Sequence, residues 1–483
     1  YQSTYWPGET LGDHLEFDAL DLTASPLALA RLEPWVGREL SFEGWLSGQA
    51  RFSGTLTDVV TSGRVTLVPT GYGGAPTSAE FSGAIHRGAN PGATGFEARL
   101  DPLNYELLRV LVPDVPLDGT GTLAFEVTGR ADDGLQFVAK ASHVGDSLAT
   151  SGAQVSGAFW RTEAGEWSAD VEGDLRPFSL AILRGVWPDL ELTGELTGTV
   201  RGVGRLRDLQ ISAELDAAGG EVVVDGVMDL RRPGSFYRFD ANAESVPLDR
   251  FSARLPQRSV WSGRLEASGR GVRIESMDAA ATLFASQSRV GGLHIDTVTA
   301  YLRASAGILI VDSLEAILGG VEVSGQGRLG MAAPLDGEAR LRFSTDSLGG
   351  LRPLLLGDTV IAKDTLSALE WTSLEFDGVD VEALPDTADV RMRGSAQGTI
   401  RLVGSVDALV VDLDMEVRGA VYGHNRVDSA SVTLTANELP EITGDWGVLL
   451  DAFGVEYQGR SFERAHLEAD MTRREGSAVL DVV

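Results

Sequence analysis

The chain has 483 residues, 43% of them hydrophobic, with 70 acidic against 40 basic side chains, a formal net charge of −30 and no cysteine. That charge opposes attraction to nucleic acid or to an anionic lipid surface, and the lack of thiols removes disulfides, thiolate zinc sites and cysteine nucleophiles together. With 58 Gly but only 18 Pro the chain is neither collagen-like nor proline-rich disorder, and no apolar run approaches the ~18–20 residues of a spanning helix.

The chain opens on Tyr1 without a charged-then-apolar leader, so it is read as a mature or excised piece whose membrane contacts run only through segments absent here. Residues 1–26 are expected as an N-terminal edge-strand region. A first repeat unit, 27–101, begins with Pro26-Leu-Ala-Leu-Ala-Arg-Leu-Glu-Pro34, a proline-bounded segment with apolar residues at helical spacing. Then comes Leu40-Ser-Phe42-Glu-Gly44-Trp-Leu46-Ser-Gly48-Gln-Ala50-Arg-Phe52-Ser-Gly54, in which even positions are apolar or glycine and only Trp45 intrudes on the polar set. Period two is strand periodicity with one wet and one dry face. Such a run would be ~44 Å long, against a usual strand of ~17–20 Å.

The second unit, 102–176, repeats this plan from Pro102, with Gly119 and Gly129 bracketing Leu123, Phe125 and Val127. The third, 177–246, starts at Pro177-Phe178 and alternates from Leu190 through Leu192, Gly194, Leu196, Gly198 and Val200 to Gly204. Gly44, Gly119 and Gly194 recur at an interval of 75 residues, which marks stacked supersecondary units sharing a core. The fourth unit, 247–345, starts at Pro247 with a blurred grid around Gly263 and Gly269. The fifth, 346–483, carries an acidic insertion near 357–390, then Gly394, Gly398 and Gly404 beside Ile400 and Leu402. The pattern predicts short amphipathic helices over 27–33, 103–111, 178–186, 248–254 and 347–356, within one continuous, mainly β array. Turns are expected at Ala218-Gly219-Gly220-Glu221 and Asp132-Asp133-Gly134. A long dry face must be buried against a second sheet, against solenoid coils, or against an apolar ligand held by a curled sheet.

Chemistry is sparse. The six histidines are scattered, and Gly325-Gln-Gly327-Arg-Leu-Gly330 is followed by another strand rather than the helix a dinucleotide fingerprint needs. Asp412-Leu-Asp414 falls in strand period on the wet face without further cation ligands. No catalytic residue, metal site or cofactor is expected, and the chain reads as a non-enzyme. The dry-face set Phe42, Leu46, Phe52, Leu123, Phe125, Val127, Leu192, Leu196, Val200, Ile400 and Leu402 is expected to line a common apolar groove.

The cassette from Pro177-Phe-Ser-Leu to Leu192-Thr-Gly194-Glu-Leu-Thr-Gly198-Thr-Val-Arg-Gly-Val-Gly204 resembles repeats of the TamB/AsmA-like superfamily of bacterial envelope proteins. Leu314-Glu-Ala-Ile-Leu-Gly319-Gly320-Val-Glu-Val-Ser-Gly325-Gln-Gly is similar to the paired-glycine strand motif of AsmA-like domains. The resemblance runs in patches from about residue 27 to the end. It implies a β-taco, an elongated open sheet curled around an apolar groove. It further implies a periplasmic body attached to the inner membrane, phospholipid acyl chains as cargo and an outer-membrane assembly protein as a further partner. A purely structural β-repeat stalk or adhesin passenger is the alternative, disfavoured by 75-residue units rather than coils of ~20 residues.

Overall fold

The computed structural model describes residues 16–31, 43–55, 57–70, 75–105, 119–145, 150–185, 192–231, 236–252, 255, 257–271, 276–331, 335–351, 392–406, 408–439, 445–472 and 476–483. Of these, 81% lie in strands and 3% in helical turns. The chain divides into two compact units, Tyr1–Pro233 with Arg250–Arg254, and Gly234–Asp249 with Leu255–Val483. The insertion at 357–390 lies outside the described residues.

The first unit holds β1 (Glu16–Ala28), β2 (Glu43–Thr55), β3 (Asp58–Thr70), β4 (Thr77–His86), β5 (Gly92–Asn104) and β6 (Thr120–Arg130). It continues with β7 (Gly134–Val144), β8 (Thr150–Arg161), β9 (Trp167–Ser179), β10 (Glu195–Arg205), β11 (Leu209–Ala217) and β12 (Gly220–Met228). Each strand pairs antiparallel with the next, so the unit is an open meander. At Ala218-Gly219, between β11 and β12, both turn residues have positive φ (54° and 94°). This is the twist-matched two-residue hairpin geometry, and Gly219 donates its N–H to the Asp216 carboxylate at 3.3 Å.

The second unit holds β13 (Tyr237–Pro247), β14 (Val260–Arg270), β15 (Asp278–Val290), β16 (Leu293–Ser305), β17 (Ile308–Leu318), β18 (Val321–Gly330) and β19 (Glu338–Thr345). It ends with β20 (Arg393–Ser405), β21 (Ala408–Tyr422), β22 (Asn425–Leu439), β23 (Trp446–Tyr457), β24 (Arg460–Met471) and β25 (Gly476–Val482). Consecutive strands again pair antiparallel.

The proline-bounded segments differ from their sequence expectation. Pro26 and Pro102 lie inside β1 and β5, at bulges where the register skips between Ala24 and Leu27 and between Leu100 and Leu103. Pro177 lies in β9 opposite the skip between Leu196 and Gly198. Pro247 is the last residue of β13. Proline lacks the N–H of a ladder bond, so bulges and strand ends accommodate it. The helix that follows is only a 3-10 turn at Leu29–Arg31, Leu180–Gly185, Leu248–Arg250 and Leu348–Leu351. Leu103 and Asn104 belong to β5, and the rest of 103–111 beyond Tyr105 lies outside the described residues, as do parts of the other expected helices.

Candidate functional site

Register turns the alternation along each strand into two chemically distinct faces. Across the first unit one transverse row reads Leu22, Ala50, Gly63, Phe81, Ala98, Phe125, Ala139, Val155, Gly173, Val200, Ala213 and Val224, apolar or glycine from β1 to β12. One residue along each strand, the opposite face reads Asp21, Arg51, Ser62, Ser82, Glu97, Glu126, Val138, Ser156, Glu172, Arg201, Ser212 and Asp225, polar except for Val138. The second unit repeats this. Ala241, Leu265, Leu283, Ala300, Leu314, Gly325, Leu341, Ile400, Leu413, Leu434, Val448, Ala469 and Ala478 form one unbroken apolar row from β13 to β25.

Burial along these rows distinguishes a single layer from a closed sandwich. The large side chains Phe81, Phe125, Val155 and Val200 are half-buried, whereas Ala213 and Gly173 are buried. Leu22, on edge strand β1, is 51% exposed. A second sheet packed on this face would exclude water from the large side chains as well.

Among the described residues, the large apolar side chains are closed off at the 3-10 turns and strand exits. Leu103 is 1% exposed. Tyr105 stands edge-on to His143 at 4.9 Å and donates its hydroxyl to the Ser142 carbonyl at 2.7 Å. Burial raises the Tyr105 phenol above its ordinary pKa. In the second unit Leu348 of the turn after β19 joins Val321, Phe343, Ala396 and Val417 in a compact cluster.

Three of the expected groove residues, Phe125, Val200 and Ile400, lie in these rows, and Leu46, Phe52, Leu123, Val127, Leu196 and Leu402 lie on the same faces in neighbouring rows. Leu46 pairs with Leu27 and Leu67, and Phe52 with Leu20 and Thr61. Leu123, Phe125 and Val127 face Leu100, Ala98 and Phe96. Leu196 meets Phe178, and Val200 lies between Gly173 and Ala213. Leu192 makes an isolated bridge to Ser252 just before β10. Ile400 and Leu402 lie on the same face of β20 in the second unit, against Leu341 with Leu413 and Ala339 with Val411. Phe42 lies outside the described residues. Phe81, Phe96, Phe137 and Ile211 share the apolar face of the first unit and were not in the expected set; the alternation Phe96-Glu-Ala98-Arg-Leu100 carries the signal that would have found some of them.

The glycine grid holds its geometry in part: the positive φ recurs at Gly54, Gly129, Gly204 and Gly404, but not at Gly44 or Gly398. Gly48 and Gly198 have φ of 138° and 136°, and a Cβ at either would overlap a carbonyl on the next strand, Arg64 and Glu214, both 16 residues on. Gly398 meets Asp414 at the same offset. Gly54, Gly129, Gly204 and Gly404 are the penultimate residues of their strands, before the hairpins, while Gly44, Gly119, Gly194 and Gly394 stand at the opposite strand ends. Several glycines are floors for neighbouring side chains rather than bare backbone. A Cβ at Gly63 would fall 2.9 Å from Phe81 Cζ, at Gly194 2.8 Å from Phe251 Cδ1, and at Gly398 2.7 Å from the Phe343 ring. Rings laid on glycine recover contacts that the missing side chain would leave open.

The polar face is laced by cross-strand ion pairs. Arg51 donates to Asp21 from Nε at 2.6 Å and from Nη2 at 3.0 Å, and Arg401 reaches Glu338 at 3.0 Å. Hydrogen bonds from these guanidiniums hold the Asp21 and Glu338 carboxyls below their usual pKa. Two solvent-open hollows, of about 940 and 930 Å³, lie over this polar face, one in each unit. Among the described residues no cluster of three metal-ligating side chains occurs, and no helix is long and apolar enough to cross a membrane. Compared with known proteins, the chain matches no family model and no curated protein.

Proposed function

We propose that the chain is a periplasmic segment of a TamB/AsmA-like envelope protein that conducts phospholipid along its apolar face toward the outer membrane, with assistance to outer-membrane protein assembly as an associated role. The sheet curls about that face as a β-taco, and the acyl chains lie in the resulting groove. The observation that carries this reading is the unbroken apolar row across each unit, with large side chains left half-buried while the opposite face is charged. An acyl chain gains about 0.8 kcal/mol per CH₂ removed from water, so a chain lying on such a row covers the side chains that the fold leaves half-covered. Headgroups would project into solvent, because the apolar rows offer no partner for a buried phosphate. Headgroup selectivity is accordingly low.

A photo-crosslinking residue placed at Leu196, half-buried on the apolar face, and another at exposed Thr197 on the polar face separate the two surfaces by one position. After irradiation in envelope vesicles, mass spectrometry should find lipid adducts at Leu196 and few at Thr197. Equal labelling, or labelling at Thr197 alone, rules the proposal out.

A further inference from the structure

The two rims of each unit, where strand ends meet their connections, are built differently. In an antiparallel meander alternate connections share a rim. In the first unit the connections 29–42, 105–119 and 180–194 share one rim, and the connections after β13 and β19, 248–259 and 346–392, share one rim of the second unit's strands. On the opposite rims, every connection from 56–57 to 206–208 and from 271–277 to 472–475 has seven residues or fewer. The long connections begin on the apolar face. Leu29 Cδ1 lies 3.2 Å from where a Gly44 Cβ would stand, Tyr105 Cε2 lies 2.8 Å from the same point on Gly121, and Leu348 joins the buried cluster.

The short-turn rim is stitched from hairpin to hairpin. Arg87 donates its backbone N–H to the Thr57 carbonyl at 2.7 Å, Ala131 to Pro91 at 2.8 Å, Arg161 to Ala131 at 2.6 Å, Leu206 to Trp167 at 3.0 Å and Leu230 to Leu206 at 2.7 Å. Arg161 and Trp167 pair across the β8–β9 hairpin, so these bonds run unbroken from the turn after β2 to the end of β12. In the second unit Ala306 donates to Met277 at 3.3 Å, Met331 to Gly307 at 2.8 Å and Val406 to Gly330 at 2.8 Å, which joins the turns from β14 to β21. Each bond commits a turn N–H to its neighbour along the rim, so the turns continue the ladder in the line of the sheet. Ion pairs run along the same rim of the first unit: Arg130–Asp58 at 3.8 Å, Arg161–Asp132 at 2.7 Å and Arg207–Glu166 at 2.8 Å.

A lipid whose acyl chains lie on the apolar face has to carry its headgroup over one rim, because a phosphate among apolar side chains has no partner. At the rim of long connections, buried strand exits such as Leu29, Tyr105 and Leu348 already occupy the margin of that face. At the stitched rim the turns stay in line with the sheet, and guanidiniums and carboxylates stand side by side to meet the phosphate and the amine of a headgroup. Resting on the lipid reading above, we propose that phospholipid enters and leaves the apolar face across the stitched rim, its headgroup carried along the row of hairpins.

The chain has no cysteine, so Ala164→Cys, Ala218→Cys and Val200→Cys each create a single attachment point for benzophenone maleimide. Ala164 and Ala218 are exposed turn residues on opposite rims of the first unit, Ala164 between β8 and β9 on the stitched rim and Ala218 between β11 and β12 on the other. Val200 marks the middle of the apolar face on β10. Each labelled full chain is irradiated with dioleoylphosphatidylcholine vesicles, and lipid adducts are measured by mass spectrometry. Adducts should form at Val200 and at Ala164, with a yield at Ala164 several times that at Ala218. Adducts at Val200 together with equal labelling of the two rims, stronger labelling at Ala218, or labelling of neither rim overturn the inference and leave the lipid reading standing. An absence of adducts at Val200 removes both.

Discussion

The apolar face has two regions built from the same kinds of residue and treated differently by the chain. At the strand exits, 3-10 turns and bulged segments lie down on it, so that Leu103, Val321, Phe343 and Leu348 are almost free of water. Along the middle of the strands Phe125 and Val200 remain half-buried. Composition is shared; coverage is what differs. Among the described residues, then, the large side chains of the apolar face are closed off at the strand ends and only half covered at the centre.

The largest test of this contrast is a charge placed in each region. Val321→Asp puts an unpaired carboxylate in the covered cluster, where Val321 is 1% exposed, and should cost about 3–5 kcal/mol. Val200→Asp introduces the same group at the middle of β10 and should cost about 1 kcal/mol, because water already reaches the half-buried site. Urea melts of both variants read the difference. Equal losses would mean that the middle of the face is a closed core, and the comparison would collapse.

A smaller effect sharpens the repeat itself. Gly48→Ala and Gly198→Ala each force a Cβ against a neighbouring carbonyl at a φ near 137°, so each should lose about 2–3 kcal/mol. Because the two sites share one geometry, their losses should agree within ~0.5 kcal/mol. Unequal values in thermal melts would show that the 75-residue repeat is one of sequence but not of packing.

The smallest effect belongs to the polar face. Asp21, Asp312, Glu338 and Asp451 are held below their usual pKa chiefly by hydrogen bonds from Arg51, Arg303, Arg401 and Arg464. A depressed carboxyl stabilises the fold fully above its unfolded pKa, near 4, and that contribution is lost as pH falls through the lower folded value. Stability should therefore be flat from pH 7 to 5 and decline slightly below 4, less so at high salt because the pairs are exposed. A comparable decline between pH 7 and 5 would point to other groups.

Period two in Glu195–Arg205 or Ala408–Tyr422 was enough to give strands and to separate a wet face from a dry one. The proline segments misled for a physical reason: apolar residues at three- and four-residue spacing after Pro102 or Pro177 suit an amphipathic helix, yet the prolines lie at bulges where the strand register shifts. Cross-strand partners were not legible. Whether Phe81 lies on Gly63, or Phe284 beside Thr299, depends on turn lengths and bulges many residues away. The hollow on the polar face of the second unit was not legible because seven strands assemble it, each contributing one or two polar residues.

The meander has a consequence for how such a chain changes over time. With pairing almost entirely between sequence neighbours within each unit, folding most strands requires closing only a short loop, the long connection between β19 and β20 excepted, and the entropy of each such closure stays small however many strands follow. A hairpin can be gained or lost as one piece, and the flanking strands still meet antiparallel with the same face apolar. Removing a single strand instead leaves two neighbours running the same way, which demands a crossover connection that a two-residue turn cannot supply. Natural length variants of this architecture should therefore differ by even numbers of strands.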